Sequence, residues 1–512
     1  MYIVEKRIDR MMKKLTRLLA IALVLCSLLL CACQKDEGSE VTTEGGANTG
    51  EADYNPNAMF QKIYDNHPAK MDFGGELINV AVRNETRYNY EFIVEGGASN
   101  SGIVSRAIYE RNLAAEERMN VMVQYNPIGG GHGPWEDIEN SILGGVSLYD
   151  VAIGSAAPSN AQAIKGTYKN LRNIDALDLS KEYWAQDMLE SMTYADATYF
   201  ATGSISTYFY DSAYVIYFNK NLCSTWGIDP NTVYETVLDG GWTLEHMINL
   251  TKDIYADSNG NSQVDDGDTF GFGLQVTSAV DGFTSACGIT MTEMNNDRVS
   301  YVVDINRAVS VVEKLSDFLW GNDGTVAYVE NKVYVEPERY LFDRQFVNDQ
   351  VLFVTDWLYS TSTTLRDMKS DFGVLPYPKY AETEEYATYV HDKFSVVGIP
   401  NSVDSGRTAM IGTLLEIMAS GGQNTVMPAY YERALTSAYI RDPQSVKTMA
   451  IIVENMSNDR IWFLDTGNAS RIIRPPVRYN TDDVVSTYRS IYDLVNQNIA
   501  NTYENYDKYS GN

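Results

Sequence analysis

The sequence predicts an α/β protein of two lobes, each a mostly parallel sheet flanked by helices, with crossover strands joining them. Three observations lead there. Of the 512 residues, roughly 450 follow a low-complexity leader, more than one hydrophobic core usually serves. Short apolar runs alternate with helical patterns in the first third of the chain, as in a parallel sheet covered by helices. Finally, Ala201 to Cys223 pairs an aromatic, hydroxyl-rich half (Thr207, Tyr208, Phe209, Tyr210) with a β-prone run from Ala213 to Phe218 that stops at Asn219-Lys220. The second half reads as a buried strand. The first half is too polar for core and suits a chain crossing between lobes while lining the cleft.

Taken in order, the chain opens with a basic stretch (Lys13, Lys14, Arg17) and an apolar run from Leu18 to Leu30 that ends in Leu30-Cys31-Ala32-Cys33. The run is shorter than the roughly 20 residues a membrane span needs, and its layout is that of a secretory signal over residues 1–33. The Leu-x-Ala-Cys ending resembles a bacterial lipobox, which makes Cys33 the expected lipidated residue and Met12 the expected start. Residues 34–70 follow as a flexible tether, because their Gly, Ser, Thr and acidic side chains have little to bury. The expected location is the outer face of a cell membrane, held by lipid.

The formal charge is −28, and the six basic and two acidic residues up to Cys33 leave the rest near −32. That balance excludes nucleic acid and anionic lipid surfaces as partners and discourages a strongly anionic solute, local basic pockets aside. Tyrosine, at 36 against 16 phenylalanines, supplies rigid faces with polar tips, suited to sugars. Only Cys223 and Cys287 lie beyond the signal region, and two buried thiols are expected. The four histidines are scattered without zinc spacing.

The body is expected from Met71, with a strand over Leu77–Val82, a helix over Ser105–Met119 and a strand over Val121–Tyr125. A helix over Trp135–Leu143 and a strand over Tyr149–Gly154 follow. Ligands in such sheets sit beyond the carboxyl ends of strands, which points at Ser155 to Asn160. Past the crossover, Leu244, Met247, Ile248, Thr251 and Ile254 share one helix face behind Thr243 as N-cap. The loop from Asp257 to Asp268 then sets Asp257, Asn259, Asn261, Asp265 and Asp268 at positions 1, 3, 5, 9 and 12, with Gln263 at the backbone-carbonyl position. This is the spacing of an EF-hand-type calcium loop, so a structural Ca2+ is expected. Ser262 departs from the glycine usual at position 6, and Asp268 from the usual glutamate, as in dockerin-type loops. The bland alternative is an Asx-rich turn before a strand over Gly271–Gln275.

Several motifs, in order, resemble extracellular solute-binding proteins of ABC sugar importers. They are Gly144-Gly145 with Tyr149-Asp150 and an apolar strand, then IYFNKNLC (Ile216–Cys223) with Trp226-Gly227-Ile228 and Gly240-Gly241-Trp242-Thr243. Downstream come the strand Val351–Phe353 leading into Thr355–Ser360, and Asp371–Pro378. The return strand Phe394–Pro400, a helix with Met410, Ile411, Leu414, Leu415 and Met418 on one face, Pro428–Glu432 and the helix start at Asp442-Pro443 complete the set. The resemblance spans residues 71 to about 490 and implies a two-lobed periplasmic-binding-protein-like (type II) fold. Lobe 1 would hold 71–210 and 395–440, lobe 2 211–394 and 441–512. It implies a lipoprotein of Gram-positive type, a monomer that is no enzyme and that captures an oligosaccharide or glycoside for ABC permease subunits. Trp357 would be the sugar platform, Tyr208, Tyr210 and Tyr359 walls, Asp356 a hydroxyl acceptor, with Ser155 at the strand end. Two other classes share the acidity and compartment. A secreted carbohydrate-active hydrolase would need a carboxylate pair, and a surface-binding lipoprotein would need no small ligand.

Overall fold

The computed structural model describes residues 61–100, 102–265, 267–321, 323–328, 341–436, 443–464 and 469–509. The expected signal segment with Cys33, the tether as far as residue 60, and Asp442 lie outside the described residues. Residues 61–70, expected as tether, are instead fastened to the body. The Ile63 N–H donates to Asn424 Oδ1 at 2.9 Å, and Arg118 grips Asp65 through both terminal nitrogens at 2.9 and 2.6 Å. A segment poor in apolar residues still orders when its backbone and charges meet fixed partners. The ordered body therefore begins by residue 61 rather than at Met71.

Three parallel strands, β1 (Glu76–Val82), β2 (Val121–Pro127) and β3 (Val151–Ser155), form the first sheet with β1 in the middle. β3 is buried along its whole length, as its apolar run requires of a strand covered on both faces. The helix Ile103–Met119 links β1 to β2, burying Val104, Ile108, Ala115 and Met119, and it ends where Asn120 turns left-handed.

The second sheet collects β4 (Tyr214–Asn219), β5 (Tyr255–Ala256), β6 (Thr269–Gln275), β9 (Thr325–Tyr328), β10 (Val351–Trp357) and β11 (Phe372–Leu375); β7 (Thr292–Asn295) and β8 (Arg298–Tyr301) form a separate hairpin. β6 runs parallel to β9 and β10, whereas β4 is antiparallel to both its neighbours, β10 and β11. Stacked rings hold its centre, Phe218 on Phe353 at 5.7 Å and Trp242 on Phe353 at 6.1 Å. β10 extends through Thr355, Asp356 and Trp357, which were expected beyond its end. Thr243 caps the helix Leu244–Thr251 by accepting the His246 N–H. Cys223 and Cys287 are buried free thiols.

β12 (Ser395–Gly398) returns to the first sheet, antiparallel to β3. Among the described residues two passes between the sheets lie side by side, bridged at Ala201↔Val397 and Ala213↔Val390. Asn458 braces them by exchanging hydrogen bonds with the backbone of Val390. At Gly203, φ is +145° and a Cβ would meet Tyr183 O at 2.3 Å, so no side chain fits there.

One expectation about the crossing fails. Every residue from Ala201 to Asn219 is buried, so the hydroxyl-rich half is core. Most of its polar atoms are satisfied internally, the Thr207 and Tyr208 hydroxyls excepted. Ser206 caps the short helix Thr207–Asp211 through the Phe209 N–H, Thr202 donates to Ser395 O, and Ser212 donates to Tyr208 O. The helix Ser405–Gly421 is likewise buried all round from Met410 to Ser420 rather than along one stripe.

Candidate ligand-binding site

The carboxyl ends of β1 and β10 carry the residues that meet here. Leaving β1, the chain gives Arg83, the short helix Thr86–Asn89, then Tyr90 and Glu91. Arg83 is buried and donates to Lys393 O at 2.9 Å and to the Ser395 hydroxyl, with Glu91 4.0 Å away. The Ser395 and Ser206 hydroxyls and the Tyr208 N–H all donate to the Glu91 carboxylate. Burial raises the Glu91 carboxyl against the opposing pull of Arg83 and these donors. This network ties the β1 loop to both crossover passes.

Above it lies an aromatic cluster. Tyr208 packs edge-on against Tyr88 (5.4 Å), Tyr359 (6.2 Å) and Tyr90 (6.3 Å), and Tyr90 reaches Tyr359 at 6.4 Å. The Tyr208 hydroxyl is buried and has no hydrogen-bond partner, and burial pushes its ionisation far up. Arg87, exposed at the rim, lies over the rings of Tyr88 (5.5 Å), Trp357 (5.5 Å) and Tyr359 (5.8 Å). It thereby joins the loop after β1 to the end of β10. The half-buried Trp357 stacks face to face on His391 at 4.8 Å and 9°. Burial holds that imidazole down at about 4, against the opposing effect of Asp392. The Tyr217 hydroxyl donates to Trp357 O and fixes the strand end.

Of the residues singled out from sequence, Trp357, Tyr359 and Tyr208 come together here. Asp356 is buried beneath them and accepts from the Ser360 hydroxyl at 2.7 Å. Tyr210 packs on Phe209 and Tyr430 and meets Ser204 at 3.2 Å. Ser155 is buried beside His132, 3.4 Å away. Sequence reading missed Arg83, Arg87, Tyr88, Tyr90, Glu91 and His391. The signal was present for five of the six, because RNETRYNYE follows the first strand and the strand-end rule that marked Ser155 applies equally to β1.

Apart from this cluster, the loop from Asp257 to Asp268 is closed by hydrogen bonds among its own side chains and backbone. The Asp257 carboxylate accepts the N–H groups of Gly260, Asn261 and Ser262. The side chains of Asn259 and Asn261 both touch the Asp265 carboxylate, at 2.7 and 2.5 Å. Asp268 accepts from Tyr255, Ser258 and Asp265. Gln263 contributes its N–H to Asn261 Oδ1. Ser262 takes φ +60°, the left-handed turn glycine usually supplies at the sixth position. Among the described residues no group of three or more His, Cys, Asp or Glu side chains is arranged for a metal ion. This loop's oxygens include asparagine amides, which suit a hard cation.

Neither a protein-family model nor a curated protein matches the sequence. Solved structures do match in fold. UgpB from Mycobacterium tuberculosis, in complex with glycerophosphocholine, aligns with TM-score 0.53 and 12% identity over 83% of this chain and 98% of its own. UspC from M. tuberculosis aligns with TM-score 0.54 and 12% identity, over 82% of this chain and 100% of its own. An ABC transporter solute-binding protein from Thermotoga lettingae TMO, bound with α-D-tagatose, aligns with TM-score 0.51 and 12% identity, over 83% and 100%. At that identity the likeness is one of fold, and the fold is the type II periplasmic-binding-protein-like α/β architecture.

Proposed function

We propose that this chain is the substrate-binding component of an ABC importer, capturing a carbohydrate between its two lobes and releasing it unchanged to permease subunits. The observation that carries the reading is the meeting of Arg87 and Tyr90, from the strand ends of the first sheet, with Trp357 and Tyr359 from the second. The junction sits directly above the paired crossover passes. A ligand between such surfaces would be gripped by both lobes and would bias their closure. Aromatic faces suit the C–H faces of sugar rings. Among the neighbours in fold, one is bound with the sugar tagatose and another with glycerophosphocholine.

The acidic side chains at this place favour binding over hydrolysis. Glu91 and Asp356 each accept donors from the protein, and Asp211 accepts the Tyr90 and Tyr430 hydroxyls. The finer parts of the reading are a monomeric lipoprotein of Gram-positive type, anchored through Cys33 at the outer face of the membrane. A structural Ca2+ would be held by Asp257, Asn259, Asn261, Asp265 and Asp268 with the Gln263 carbonyl. Calorimetry of the purified chain against mono- and oligosaccharides, with product analysis after long incubation, tests the central claim. Saturable binding without cleavage is expected. Cleavage of the bound sugar would favour the hydrolase, and a panel without any binder would remove the capture reading.

A further inference from the structure

The hydrogen-bonding capacity left over in the aromatic cluster is one-sided. Its buried and half-buried carboxylates already have donors. Asp211 takes two tyrosine hydroxyls, Asp356 takes Ser360, and Asp392 takes Arg471 at 3.1 Å. Glu91 takes two hydroxyls and a backbone N–H. Arg87 differs, because its guanidinium lies over three aromatic rings and meets no acceptor among the described residues. The Tyr208 hydroxyl is fully buried and unpartnered, and the Tyr208 ring packs edge-on against Tyr88 and Tyr359, two of the rings beneath Arg87. Donors and one uncompensated positive charge therefore remain, on a floor of rings contributed by both lobes.

We propose that the captured solute is an acidic sugar, and that Arg87 receives its oxyanion with the Tyr208 hydroxyl as second donor. This rests on the solute-capture reading above and narrows its substrate class. A guanidinium seated on aromatic faces keeps its N–H edge directed outward, and that planar fork matches a carboxylate or sulfate oxygen pair. The chain's charge of −28 repels anions at long range. An acidic solute is then admitted only where a local cation offsets that field, which makes Arg87 the residue that sets selectivity. A uronate and a sulfate ester offer the same oxyanion chemistry, so the ligand panel must separate them.

The test is calorimetry on the mature chain with matched oligosaccharides in neutral, uronate and sulfated forms. One charged form should bind at least about tenfold tighter than its neutral counterpart, the scale of a hydrogen bond to a charged group. R87Q should bring that ratio to within about twofold, while R87K, which keeps the charge and loses the fork, should retain part of it. Y208F should lower the ratio while holding or raising the melting temperature, because it removes a buried hydroxyl that bonds to nothing. Unchanged melting temperatures for R87Q and R87K would establish that the substitutions act on the ligand. Neutral sugars bound as tightly as acidic ones would overturn the acidic assignment and leave solute capture standing. So would an R87Q protein that loses both equally. A panel in which no sugar binds would overturn both readings.

Discussion

Replacing His391 by glutamine should flatten a specific part of the protein's acid sensitivity. The imidazole is buried, stacked on Trp357, and its nearest charges are Asp392, Lys393, Arg474 and Arg471. Burial lowers its folded value from 6.5 to about 4. Between those values the unfolded chain binds a proton that the native state lacks. Stability therefore rises with pH across this window and is lost as pH falls through it. The two values give a loss of about 2 kcal/mol at pH 5 and nearer 3 kcal/mol toward pH 4. Asp281 acts in the opposite sense. Burial raises its carboxyl from 3.8 to about 6 despite Arg474, so the native state holds that proton more tightly and stability falls as pH rises across the range. The wild-type profile alone would thus understate His391, and the difference between wild type and H391Q isolates it. Urea denaturation of both proteins from pH 7.5 to 4.5 measures that difference. Wild-type and variant profiles that stay parallel throughout would refute the reasoning.

Four further outcomes are expected. Glu91→Ala should destabilise by about 3–5 kcal/mol because it strands the buried Arg83, and Glu91→Gln should cost less; chemical denaturation at pH 7 compares them. Calcium should raise the melting temperature of metal-stripped protein, and Asp257→Ala with Asp268→Ala should abolish that response; indifference of the wild type would leave an Asx-rich turn. Trp357→Ala should weaken binding of the best sugar by roughly 30-fold or more, with Asp356→Asn costing less; calorimetry on folded variants decides. Cys33→Ala should shift the chain from the membrane to the soluble fraction, and unchanged partitioning together with an N-terminus of unmodified mass would exclude lipidation.

Much of the architecture was legible because its signals are local. The apolar runs of β1 and β3, the branched and aromatic run of β4 and the Thr243 cap each specify their own element. Trp357 and Tyr359 were reachable through motif order, and Tyr208 through its place in the crossing. Arg87 was marked only by its place after the first strand, because an exposed arginine there reads as solvated surface until a ring some 270 residues away comes beneath it. Tyr210 and Asp356 were ambiguous for a related reason. A polar or aromatic residue in a crossing segment suits a cleft wall and a satisfied core equally, and only the partners, Ser204 and Tyr430 or Ser360, decide between them. The fastened stretch 61–70 is a third case, since composition measures what can be buried and says nothing of a waiting Arg118.

The nesting of one sheet inside the other has a consequence during synthesis. All strands of the second sheet lie between Tyr214 and Leu375, whereas the first is complete only when β12 arrives at Ser395. When β3 has emerged its outer edge has no partner, and the strand that will cover it is about 240 residues downstream. At roughly 5–20 residues per second that edge waits on the order of 10 to 50 seconds, while the inner lobe has every strand it needs. An open, buried-type strand edge is a template for wrong pairing. The nascent first lobe is therefore the half of this molecule with most need of a chaperone, and slowing translation between Ser155 and Ser395 should lower the yield of native protein more than slowing it after Gly398.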